Sequence, residues 1–340
     1  LSGDSDAMLA FIIFIVIVAL IFDFLNGMND AANSIATVVS TRVLSPRLAV
    51  LWAAFFNLAA AFFFGVHVAT TIGKGIVDPS VVDAVLILST LCGAILWTYT
   101  CTYIGLPISV SHALVGGLVG SGMAKAGLDA LVWHGLLKIA VFIVLAPLVG
   151  TILGYLFMVA VYWVCRRRTP QRVDRWFRHL QLISAAAFSL GHGTNDAQKT
   201  MGIITVLLYS TGYLKGEFHV PFGVVLICHA AIALGTLAGG WRVIETLGMK
   251  VTKLKPVHGF CAETAAASSI LLSTVGGIPV STTHTITGAI IGVGATTKLA
   301  AVRWGVAYRI VWAWILTIPG TAVVAALIWY LLHLMPLPMR

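Results

Sequence analysis

The chain has 340 residues, 59% of them hydrophobic and only 10% charged, with a mean hydropathy of +0.98. That composition excludes an ordinary soluble domain and a disordered one, and it marks an integral membrane protein. A formal net charge of +9 would suit a nucleic-acid binder, but the basic residues cluster between apolar runs, where they read as topology anchors.

The first apolar run, near residues 8–25, follows LSGDSDAM, with no basic n-region and no clear cleavage site. It reads as a retained helix and not as a signal peptide. Further runs lie near 47–69, 81–102, 108–124, 134–164, 181–208, 219–240, 257–274, 280–296 and 304–332. Most approach or exceed the roughly 20 residues that carry a helix across about 30 Å of hydrocarbon. They do not alternate as barrel strands would. The expected fold is an all-α polytopic membrane protein.

Polar cassettes interrupt these runs. The first, FDFLNGMNDAANSIA from Phe22, places Asn29, Asp30 and Asn33 on one arc of a helix, with Gly27 two residues before the Asn-Asp pair. Asn carbonyls and Asp carboxylates are hard oxygen ligands for a small cation, and Asn amides can also donate to an oxyanion. The second, GLPISVSHALVGGLVG from Gly105, follows Pro107 with Ser109, Ser111 and His112. A helix starting just after the proline offers free N–H groups, the positive end of its dipole and hydroxyl donors to one point, which is an oxyanion site. Ordinary Ser caps on a Gly-rich packing helix would have the same local sequence.

Next come Arg166, Arg167, Arg168, Arg172, Arg175 and Arg178. With that linker taken as cytoplasmic, five crossings on each side put both termini outside. Fourteen basic residues then fall inside, and Lys74, Lys125, Lys215 and Arg340 fall outside. An odd number of crossings per half makes the second half enter the membrane inverted.

The second half repeats the first. FSLGHGTNDAQKTMG from Phe188 answers the first cassette at an offset of 166 residues, with Asn195, Asp196 and Lys199 aligned to Asn29, Asp30 and Asn33. GIPVSTTHTITGAIIG from Gly277 answers the second at 172, bringing Pro279, Ser281, Thr282, Thr283 and His284. Between them Glu263 lies in an apolar run and aligns with Leu91, so its role belongs to one half only. The division expected is a first transmembrane repeat over 1–165, an Arg-rich cytoplasmic linker over 166–178 and a second, inverted repeat over 179–340, with discontinuous helices near the midplane. His112 and His284 are candidates for proton relay or for bonds between helices. Cys92, Cys101, Cys165, Cys228 and Cys261 show no zinc or redox spacing and read as small core residues.

These cassettes, NGMNDAANSIATVVSTR, SLGHGTNDAQKTMG, GLPISVSHALVGG, VHGFCAET and GIPVSTTHTITG, resemble the inorganic phosphate transporter family, the permeases often called PiT. The resemblance implies an inverted-repeat secondary carrier in the plasma membrane, here a bacterial inner membrane, often as a homodimer. It places the phosphate region on Asp30, Ser109, Ser111, Asp196, Thr282 and Thr283. It places cation-associated asparagines on Asn29, Asn33 and Asn195, which would be the metal ligands if sodium is used. Lys199 stands where sodium-coupled relatives tend to carry another amide, which favours the likeness to bacterial proton-coupled, low-affinity systems, with neutral metal phosphate as a candidate cargo. Lys199, Glu263, His112 and His284 join the coupling candidates.

The leading expectation is therefore a proton-coupled phosphate symporter, with transported phosphate and H+ or Na+ in place of any cofactor. Its partners are the substrate, the coupling cation and membrane lipid, and not nucleic acid. The alternatives are sodium coupling, sulfate as the cargo, or a channel or scaffold, the last disfavoured by duplicated midplane chemistry. No GxxxxGK[ST] loop is present, which weighs against a primary pump, and no enzymatic role is expected.

Overall fold

A computed structural model describes residues 2–63 and 65–335. Twelve α-helices run through it: α1 (Ser2–Ser40), α2 (Pro46–Ala59), α3 (His67–Lys74), α4 (Ala84–Ile104), α5 (Val110–Ala126), α6 (Trp133–Cys165), α7 (Pro170–Ser210), α8 (Phe222–Ala238), α9 (Trp241–Glu245), α10 (Pro256–Val275), α11 (Thr282–Ala295) and α12 (Trp304–His333). Prolines start several of them: Pro46, Pro170 and Pro256 occupy first-turn positions, where a missing N–H costs nothing. The Arg-rich segment is thus largely helical, since α7 begins at Pro170.

The two halves correspond helix by helix and pack reciprocally. α1 packs on α8 as α7 packs on α2, α5 on α12 as α11 on α6, and α1 on α4 as α7 on α10. Matching irregularities fall at matching places. α4 ends at Gly105 (φ +75°) and α10 is followed by Gly277 (φ +63°), left-handed turns that favour glycine. Pro147 interrupts α6 and Pro319 interrupts α12. The broken spans match too, with bends of 86° between Pro46–Phe62 and His67–Gly73 and 67° between Phe222–Ala238 and Trp241–Lys250.

The crossing count differs from five per half. α5 and α11 hold 17 and 14 residues, about 26 and 21 Å of helix, short of a full crossing. Each folds back along its predecessor as a hairpin whose outer ends share a face. Lys125 at the end of α5 pairs with Asp83 at the start of α4, and Arg303 beyond α11 donates its N–H to Val251 O, ahead of α10, at 2.9 Å. The turns between the arms are packed by the opposite half, while Tyr103, Ile104, Leu272 and Val275 beside them are exposed. Trp314 Nε1, ten residues into α12, donates to Pro107 O at 3.1 Å, and the His284 ring approaches Ile143 O, ten residues into α6, at 3.4 Å. By length and composition four helices suffice to cross a membrane, α1, α4, α6 and α12, and the bent pairs α2–α3 and α8–α9 raise that to six at most among the described residues, fewer than the ten crossings expected.

The loops sort to two faces. On one, Arg178 donates to Arg42 O at 3.1 Å and Thr252 to Ala301 O at 3.2 Å, gathering the linker with the basic segments around 42, 250 and 300. On the other, Asp78 N–H reaches Ala130 O at 2.9 Å. The side chain of Lys74, and Arg340, lie outside the described residues. The cysteines are all free, with Cys101, Cys228 and Cys261 buried.

Candidate functional site

Small residues let the helices approach closely enough to bring the cassettes together. A Cβ on Gly27 would overlap the Ile232 carbonyl, and one on Gly120 would overlap Ala322, so α1 meets α8 and α5 meets α12 nearly backbone to backbone. The crossings set Asp30 of α1 and Asp196 of α7 against the start of α11.

Thr282 Oγ1 lies 3.4 Å from Asp30 Oδ2 and 3.1 Å from Asp196 Oδ2, while Thr283 donates to Asp30 Oδ1 at 3.1 Å. Asn33 Nδ2 donates to Thr283 Oγ1 at 2.9 Å. The symmetry-equivalent contact is made by Lys199, whose ammonium donates to Ser111 Oγ at 2.5 Å, to Val280 O at 3.1 Å and to Asp196 Oδ1. A lysine thus sits where the other copy has an amide, ringed by three oxygens. His192 Nε2 stands 3.4 Å from Asp196 Oδ2 and 3.6 Å from Asp30 Oδ2, and donor atoms of these three residues all lie within 4.8 Å of one another. Every member is buried, Ser111 being the most open at 8%, so the cluster is sealed from both faces.

The remaining sequence candidates divide. Asn29 and Asn195 flank the cluster and make equivalent bonds, Asn29 Nδ2 to Thr102 Oγ1 at 2.7 Å and Asn195 Nδ2 to Thr274 Oγ1 at 2.9 Å. The Oδ1 atoms of Asn29, Asn33 and Asn195 are buried without hydrogen-bond partners, three carbonyls suited to a hard cation. Ser109 faces its own helix, accepting from His112 N at 3.2 Å as the cap of α5, and Ser281 does the same for α11. His112 and His284 meet edge to face at 4.7 Å, and His284 stacks on Trp314 at 3.8 Å. Glu263 of α10 stands apart, accepting from Thr37 at 2.5 Å, Ser184 at 2.5 Å and Gln181 at 3.1 Å, Thr37 lying two helical turns along α1 from Asp30.

Sequence reasoning passed over His192, although it lies four residues before Asp196 inside a repeated motif and aligns with Asn26. That register was the available signal. It also passed over Asn57, whose Oδ1 meets His192 Nδ1 at 3.1 Å and whose amide donates to Thr236 at 2.9 Å. Asn57 lies in the apolar stretch that follows Arg47 in α2, and nothing local marks it.

Reciprocal halves, broken spans and a polar site assembled from both copies inside an apolar bundle define a helical membrane carrier. The chain belongs to the Phosphate transporter family, which matches residues 26–325. It is 58% identical to a probable low-affinity inorganic phosphate transporter of Rhizobium meliloti (strain 1021), covering 96% of this chain and 98% of the relative. It is 40% identical to the protein of the same description from Bacillus subtilis (strain 168), covering 97% and 99%. Among solved structures it is similar to the one titled "The sodium-dependent phosphate transporter", with a TM-score of 0.86 and 28% identity over 96% of this chain and all of that one. Family and relatives are transporters, in line with the expectation of a carrier and not an enzyme.

Proposed function

We propose that the chain is a secondary symporter that takes up inorganic phosphate by alternating access, with the anion held between the start of α11 and the carboxylates of Asp30 and Asp196. The observation that carries this is the convergence of one carboxylate from each half on the hydroxyls of Thr282 and Thr283. Phosphate keeps a P–OH at neutral pH and can donate to a carboxylate, whereas sulfate has no proton to give.

The same geometry supports coupled transport. Like charges about 4 Å apart repel by about 4 kcal/mol at an effective dielectric constant of 20. Two carboxylates facing an anion therefore need a proton or a cation to arrive with it. Lys199 supplies one fixed positive charge at Asp196, which supports protons as the driving ion. Sodium is the second reading, favoured by the three unpartnered asparagine carbonyls. With the basic face cytoplasmic, both ends of the described chain lie outside a bacterial inner membrane.

Uptake of radiolabelled phosphate into proteoliposomes, under separately imposed pH and sodium gradients, is the test. Saturable uptake that follows the pH gradient and resists excess sulfate is expected. Strong sulfate competition would remove the selectivity claim, and flux indifferent to every cation gradient would remove symport.

A further inference from the structure

Four acidic side chains are buried among the described residues: Asp23, Asp30, Asp196 and Glu263. Three have donors or cations around them. Asp30 receives Thr283 and faces Thr282, Asp196 holds Lys199, and Glu263 accepts from Thr37, Ser184 and Gln181. Asp23 differs: it is 0% exposed, and neither oxygen has a hydrogen bond of ordinary geometry, its nearest donors being the side chains of Thr200 and Asn26.

An ionised carboxylate buried without a cation paired to it is costly, and the usual outcome is that it takes a proton. The charged and titratable groups facing Asp23 are few. Asn26 shares its helix. From α7 come Thr200, Asp196 and His192, of which Asp196 repels and His192 attracts a carboxylate charge. From α8 comes Cys228. Asp196 already holds Lys199, and His192 lies between the two site carboxylates.

Position gives this proton a use. Asp23 precedes Asp30 by seven residues on α1, two turns or about 10.5 Å along the axis, toward the face opposite the arginines. Its counterpart in the second half is Ser189, so the group is present on one side of the phosphate site only. On the symport reading, a proton arriving from the outer face comes to the level of Asp23 before that of Asp30.

We propose that Asp23 is the proton-binding residue of the symport cycle, loaded from the outer face and emptied when the site opens inward. The proposal rests on the phosphate-symport reading above and adds the identity of the proton carrier. In it, the outer solution protonates the carboxylate to the acid, and the cytoplasmic water accepts the same proton.

The test uses the full chain in proteoliposomes, comparing wild type, Asp23→Asn and Asp23→Glu. Phosphate–phosphate counterflow needs no proton release, so D23N should keep it while losing accumulation driven by a pH gradient, and D23E should restore that accumulation. D23N that accumulates phosphate under a pH gradient as wild type does would overturn the proposal, as would loss of counterflow together with accumulation in folded D23N. Wild type without any phosphate counterflow would instead overturn the phosphate reading. Infrared spectroscopy then still decides Asp23: a carboxylic-acid C=O band present in wild type and missing from D23N supports it, and identical spectra refute it.

Discussion

Replacing Lys199 with Asn tests coupling at the point where the two halves differ most. The ammonium holds Asp196, Ser111 and Val280 O together in a fully buried position. Removing one member of a buried ion pair typically costs about 3–5 kcal/mol, because the other charge is left uncompensated. Asparagine is too short to place a donor at all three oxygens and carries no charge. A monovalent cation binding in that place would restore stability by mass action, about 2.7 kcal/mol at a concentration 100 times its Kd. K199N should therefore unfold at a lower temperature than wild type in choline chloride and recover in sodium chloride, while wild type is indifferent to the exchange. In proteoliposomes its phosphate uptake should become sodium-dependent and less responsive to external pH. A folded, transporting K199N that ignores sodium in both assays would refute the idea that the lysine stands in for a cation. Wild type driven by sodium at fixed pH, and unmoved by a pH gradient, would refute proton coupling while leaving the phosphate site intact.

Thr283→Ala removes a hydroxyl that links Asn33 to Asp30, and equilibrium binding should show phosphate affinity reduced by about 1–3 kcal/mol. Ser109→Ala should act differently, losing about 1 kcal/mol of thermal stability through the cap of α5 with a smaller change in affinity; equal affinity losses in both variants would make Ser109 a ligand. Asp83→Asn keeps the cap on Leu86 N but breaks the half-exposed pair with Lys125, so denaturation should register no more than about 1 kcal/mol. A larger loss would mean that the pair fastens the hairpin. Gly27→Ala drives a methyl group into the Ile232 carbonyl, and a penalty of about 1–3 kcal/mol should lower the thermal midpoint; an unchanged midpoint would show that α1 and α8 have room to separate.

The sequence by itself determined that this is a duplicated, inverted helical membrane protein. Hydropathy, loop charge and the spacing of repeated motifs are properties of the chain read in one dimension. That α5 and α11 turn back along α4 and α10 was not legible, because apolar length alone does not distinguish a helix that leads on to another crossing from one that folds back on its predecessor. The polar cassettes were legible, since polar residues in hydrocarbon stand out wherever they fall. Which members meet was decided by packing between halves. Asp30 and Thr283 are 253 residues apart, and their contact depends on glycines that let opposite repeats interlock. The same packing turned Ser109 toward its own helix while Ser111 reached Lys199, carried Glu263 into a separate network, and drew in His192. A serine as cap and a serine as ligand are alike in sequence; only the direction in which a neighbouring helix approaches separates them.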